Sequence, residues 1–170
     1  MGANITVNAI PPGKRRNARA ETTLLHEWID LHGWNAAASY EPRLGPTIQE
    51  NLSVPMSPAL EANLRNRNWY PDAIVITPSE LWVIEAKLEA KPGAVGEALF
   101  YSTLVGTTPD LQWALNRAVV PVVLFGRIDD TVARFARGYG VRVEFYTPPW
   151  IADYLNRRYT GSLPSAVSSE

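Results

Sequence analysis

The feature that most constrains this chain is a pair of adjoining strand-like runs. Residues 72–77 (DAIVIT) and 81–88 (LWVIEAKL) are rich in β-branched and aromatic side chains. Pro78, Ser79 and Glu80 lie between them and predict a tight turn, hence a hairpin. Side chains alternate across a strand. Leu81, Val83, Glu85 and Lys87 therefore share one face, and Trp82, Ile84, Ala86 and Leu88 share the other. Asp72 opens the first strand just after Pro71. A hairpin about this turn brings Asp72 next to the end that carries Glu85 and Lys87.

Two carboxylates converging at one sheet end repel each other unless a cation lies between them. Magnesium is the natural occupant, because it takes one or two carboxylates together with waters and substrate phosphate; manganese is a substitute. A lysine beside such an ion orients or deprotonates an attacking water and steadies developing charge. These residue types at this spacing therefore point to phosphodiester hydrolysis.

The rest of the chain frames that hairpin. A basic cluster (Lys14, Arg15, Arg16, Arg19) leads into an expected helix from Asn17 to His32, stopped by Gly33. Leu24, Leu25, Trp28, Ile29 and Leu31 form its apolar stripe. Glu21 falls within that stripe, where a carboxylate is costly without a partner; the alternative is a first-turn residue favoured by the helix dipole. Glu27 lies off the stripe and is expected in solvent. His26 and His32, six residues apart, share no metal-binding face and are read as structural or solvated. Residues 35–43 suit a first strand, and Ser57-Pro58 suits the start of a short helix reaching Arg67. Beyond the hairpin come a helix at 94–105, a strand at 119–125, a helix at 129–139, a strand at 141–146 and a helix at 149–158. The order predicts an α/β fold with a mixed central sheet flanked by helices. Residues 1–13 are expected as a flexible N-terminal arm, 14–160 as one domain and 161–170 as a flexible tail.

Pro71-Asp72 followed by Glu85-Ala86-Lys87 resembles the motif of the PD-(D/E)xK nuclease superfamily, which includes restriction endonucleases, Holliday-junction resolvases and RecB-like nucleases. The helix after the E-x-K strand adds to the likeness. Its Gly96-Glu97-Ala98-Leu99-Phe100-Tyr101 is similar to the RecB-like Q-x-x-x-Y motif, with Glu97 where a glutamine is usual. The resemblance covers about residues 14–126. It implies a restriction-endonuclease-like αβββαβ core, to which the last strand and helix are an addition. It also implies metal ligation by Asp72, Glu85 and the Ala86 carbonyl, with Glu21 as a further or second-metal ligand, and Lys87 serving the attacking water. The products would be a 5′-phosphate and a 3′-hydroxyl.

Candidate DNA contacts are Lys14, Arg15, Arg16 and Arg19, then Arg65 and Arg67 running into Trp69 and Tyr70, and Glu97 with Tyr101 on one helix face. A solvated arm and a packed strand entrance are the alternatives for the first two groups. Lys91 and Arg157 with Arg158 are weaker candidates. The formal net charge of −1 excludes bulk electrostatic coating of nucleic acid but suits a nuclease with an acidic centre. Thirteen of the 16 cations are arginine, the better fork for phosphate.

With 46% hydrophobic residues, a core can form, and the absence of cysteine removes disulfides and thiolate chemistry. No apolar run approaches the roughly 20 residues needed to span a bilayer, and residues 1–12 are too polar for a signal peptide. The expected setting is therefore cytoplasmic: host cytoplasm, or a virion if the source is viral. No glycine-rich loop predicts a nucleotide cofactor. An endonuclease is favoured over an exonuclease, because so short a chain leaves little room for a threading channel. Small members of the superfamily often pair to cut two strands, so a homodimer is one expected partner. The rival expectation is a nuclease-fold structural or adaptor protein of a phage particle or DNA-processing assembly, with weak or no catalysis. Its support is the 14 prolines, the N-terminal arm and the near-neutral charge.

Overall fold

The structure, a computed structural model, describes residues 12–46 and 69–160, with side chains from Ala18 onward. Helix α1 spans Pro12–Leu31. A 3-10 turn at Asn35–Ala37 leads to strand β1, Ala38–Tyr40. Strands β2 (Ala73–Ile76) and β3 (Glu80–Lys87) follow, then helix α2 (Pro92–Leu104). Two 3-10 turns, Val105–Thr107 and Pro109–Ala114, precede strand β4, Ala118–Phe125. Helix α3 (Asp130–Gly138), strand β5 (Arg142–Phe145) and helix α4 (Pro149–Thr160) complete the order.

The five strands form one open sheet in the order β1-β2-β3-β4-β5. The first three are antiparallel neighbours, and β3, β4 and β5 are mutually parallel. The fold is thus α/β with a mixed open sheet flanked by helices, and a strand and a helix close the chain order as expected. Among the described residues no helix is long and apolar enough to cross a membrane. Pro121 lies in β4 one residue before β5 begins to pair at Val122, where β4 is still an edge on that side.

Both sheet faces are covered. On one, Leu24, Leu25, Trp28 and Ile29 of α1 and Ile151 and Leu155 of α4 pack on Trp82, Ile84, Ala86 and Leu88. On the other, Ala94, Val95 and Ala98 of α2 and Val132 and Ala136 of α3 pack on Val123 and Phe125. Leu81 and Val83 join Ile74 and Leu44 in a third cluster on that second face. The expected alternation of the E-x-K strand is thus seen in its packing. Asp129 caps α3 by accepting from the Thr131 and Val132 N–H groups at 2.9 and 3.0 Å.

Several boundaries differ from expectation, each for a physical reason. Helix α1 begins at Pro12, five residues before Asn17, because proline at the first helical position gives up only an N–H that has no partner there. Lys14, Arg15 and Arg16 consequently lie on its opening turns. The first strand contracts from 35–43 to Ala38–Tyr40, since Asn35–Ala37 coils into a 3-10 turn. Glu80 belongs to β3, leaving Pro78 and Ser79 as a two-residue turn closed by the Thr77 N–H donating to the Glu80 carbonyl at 2.8 Å. Leu31 ends α1 just before the chain reverses at Gly33 (φ 69°) and is 67% exposed, so the apolar stripe stops at Ile29. The helix expected from Pro58 to Arg67 lies outside the described residues, as do Arg65 and Arg67.

These differences separate two leucines on one helical stripe. Leu24→Ala is expected to lower unfolding free energy by about 2–5 kcal/mol in a denaturant titration. Leu31→Ala should change it by no more than about 0.5 kcal/mol.

Candidate active site

The hairpin register places the central groups. Ala73 pairs with Ile84 and Ile76 with Leu81. Extended by one residue, this ladder sets Asp72 opposite Glu85. One step further it sets Pro71 opposite Ala86. Proline has no N–H, so the Ala86 carbonyl receives no ladder hydrogen bond from that position. The Ala86 N–H, in turn, donates to Asp72 Oδ2 at 2.7 Å. The Asp72 carbonyl accepts from the Glu41 N–H at 3.0 Å. Asp72 is therefore fixed at its backbone by the β1 side and at its carboxylate by β3.

Lys87 gathers the carboxylates. Its Nζ lies 2.5 Å from Glu85 Oε1, 3.8 Å from Asp72 Oδ2 and 4.0 Å from Glu21 Oε2. These groups reach one point from three elements: β3, the residue preceding β2, and α1 on the opposite sheet face. Glu85 is 5% exposed, while Asp72, Glu21 and Lys87 are partly buried. Glu97 on α2 acts on Glu85 as well, pushing its carboxyl further up. Tyr101, one turn on, packs half-buried against the third core cluster and faces the same carboxylates.

The charge balance is unfavourable as it stands. One ammonium at about 4 Å offers a carboxylate on the order of 4 kcal/mol near a protein surface. Burial costs an ion several kcal/mol, and here three carboxylates share one lysine. Burial and the Asp72 charge push the Glu85 carboxyl up to about 8, against the pull of Lys87. Asp72 is raised chiefly by burial, with Lys87 and the Ala86 N–H opposing. Glu21 is raised by burial too, opposed by Lys87. For Lys87, burial favours the neutral amine, but Glu85, Asp72 and Glu21 together outweigh it and keep the ammonium charged. Excess buried negative charge of hard oxygen type fits a divalent cation such as magnesium. Among the described residues no three His, Asp or Glu side chains close on one point by themselves; the carboxylates lean on Lys87.

The other candidate residues are dispersed. Arg19 is exposed on α1, two residues before Glu21. Trp69 packs its ring on Phe100 of α2 at 4.8 Å, which makes it part of the strand entrance. Lys91 is exposed just before α2, and Arg158 pairs with Glu89 at 3.6 Å. His32 is structural: its ring bonds the Trp28 carbonyl at 2.7 Å and stacks on Trp34. Glu27 corrects an expectation. It is half-buried and accepts from Trp150 Nε1 at 2.9 Å and from the Tyr146 hydroxyl at 3.5 Å, because the C-terminal segment packs over α1.

Three residues beside the centre carried no functional reading in the sequence: Tyr40, Glu41 and the stacking role of His26. Tyr40 and His26 stack at 4.0 Å. Glu41 adopts a φ of 45°, the one positive value at a non-glycine among the described residues. No local sequence signal marks them: they are placed by the register of β1, which sets Tyr40 opposite Ala73 and so beside Asp72.

The carboxylate shifts have a definite sign. A group held above its unfolded value contributes stability at low pH and loses it as pH rises through the folded value. In chelator, the melting temperature should fall by several degrees between about pH 5 and pH 8. Glu85→Gln should flatten this slope, and a slope unchanged in that variant would remove Glu85 as its source. No family model, curated protein or solved structure matches the chain, so its own geometry carries the reading of the site.

Proposed function

We propose that this protein is a divalent-metal-dependent deoxyribonuclease with the αβββαβ core of the PD-(D/E)xK superfamily. The observation that carries the reading is the single point at which Asp72, Glu85 and Glu21 meet the Lys87 ammonium. Ordinary surface salt bridges do not collect three partly buried carboxylates around one lysine at the end of a hydrophobic sheet.

Magnesium, or manganese in its place, would be held by Asp72, Glu85 and the Ala86 carbonyl, and it supplies polarisation of a phosphate and acidification of water. The chain's own groups do the rest. The Ala86 N–H fixes the carboxylate of Asp72. Lys87, kept charged by its neighbours, orients the attacking water and balances the negative charge that builds on the phosphate. Glu21 positions Lys87 from α1. Tyr101 and Glu97 close the α2 side, where Glu97 adds a further carboxylate in place of a neutral amide. Lys14, Arg15, Arg16 and Arg19, on the opening turns of α1, lead the substrate backbone toward the centre. Hydrolysis would leave a 5′-phosphate and a 3′-hydroxyl.

Supercoiled plasmid incubated with the protein and magnesium should be nicked, and chelator should stop it. Asp72→Ala and Lys87→Ala should each lower the rate by about 100-fold or more. Glu21→Gln should cost about 10- to 100-fold, as expected for a group acting through another. A folded wild type that leaves duplex, single-stranded and branched DNA intact with both magnesium and manganese would falsify the proposal.

A further inference from the structure

A cavity of about 180 Å³ opens between α1 and β1, immediately beside the carboxylate centre. Its lining is Thr22, Leu25 and His26 from α1, Tyr40 and Glu41 from the end of β1, and Asp72. Leu25 is 2% exposed and gives an apolar floor. The stacked rings of His26 and Tyr40, 4.0 Å apart and 25° from parallel, form an aromatic wall. Glu41 brings a carboxylate to the exposed rim, on a backbone at φ 45° anchored by its N–H to the Asp72 carbonyl at 3.0 Å. A non-glycine residue held at positive φ costs energy, and such positions cluster where a side chain must be aimed.

We infer that this cavity seats one unpaired nucleobase bearing an exocyclic amine, cytosine in preference to uracil or thymine, from the nucleotide next to the phosphate at the centre. An aromatic face and an apolar floor bind a base by stacking. A carboxylate at the rim accepts from an exocyclic amine, as it does from cytosine N4, and repels the carbonyl oxygen that uracil or thymine presents there. Asp72 both lines the cavity and lies 3.8 Å from Lys87, so a base in the cavity is one nucleotide from the scissile phosphate. Arg19, one turn before Thr22 on the same helix face and exposed, suits that nucleotide's own phosphate. A base inside a duplex does not reach this wall without leaving its stack. The preferred substrate is therefore single-stranded or frayed DNA. This inference rests on the nuclease reading for its placement of the phosphate, whereas binding of the base is measured independently of cutting.

Deoxycytidine and deoxyuridine 5′-monophosphates have nearly the same shape and differ at the 4-position, so they isolate the contact to Glu41. Each is titrated into the full chain with calcium present, following the His26 and Tyr40 ring signals by NMR. The cytidine nucleotide should shift both rings and bind about tenfold more tightly. Glu41→Gln, at an exposed site, should abolish the difference, and Tyr40→Ala should weaken both nucleotides about tenfold while Tyr40→Phe does not. Equal binding of the two nucleotides, no shift at either ring, or a preference that survives Glu41→Gln overturns the inference. Plasmid cutting is scored separately. Cutting without a cytidine preference rejects the base site alone, and a cytidine preference without cutting rejects the nuclease reading alone.

Discussion

Where Thr77 turns back on Glu80, two residues of loop set the pairing of every residue that follows in β3. The site depends on this register. With it, Asp72 falls opposite Glu85 and the N–H-lacking Pro71 falls opposite Ala86. A slip by one residue would send Glu85 and Lys87 to the face that now buries Ile84 and Ala86. The register is held by burial on both sides, because Ile74 and Val83 enter one core cluster while Ala73 and Ile84 enter another. Aliphatic packing thus determines where the charged groups stand.

The charged groups are tolerated for a complementary reason. The sheet interior accepts no ions, and Glu85 follows a run of buried apolar residues from Leu81 to Ile84. At the strand end three carboxylates find one lysine, and α1 contributes Glu21 across the end of the sheet. The cluster is attractive enough to assemble and remains short of positive charge. Burial, with the Asp72 charge beside it, raises Glu85 to about 8. The deficit is also what makes the site receptive to a divalent cation under the proposed reading.

Much of this was legible in the strand run itself. The alternation of LWVIEAKL, the turn residues before it and Asp72 after Pro71 are local patterns, and the physics that reads them is local too. Other features were not. Glu27 looked solvated because its helical angle places it off the apolar stripe, and only the approach of Trp150, 123 residues away, supplies its partner. Leu31 looked buried by the same angular reasoning, but the helix ends there. Tyr40 and Glu41 had no local mark of importance. Their place beside Asp72 comes from the β1 register, and a strand of three residues carries too little pattern to reveal its partner.

The α/β class, the hairpin and the sheet face shared by Glu85 and Lys87 were all readable along the chain, since each follows from spacing within a segment. Tertiary structure alone decided that Glu21 reaches Lys87 from the far side of the sheet and that Glu97 and Tyr101 close the site from α2. It alone formed the cavity of His26, Tyr40 and Glu41 against Asp72. The reason is physical. Periodicity says which face of a segment is apolar, but it does not say which other segment covers that face. The convergence of charges depends on that covering.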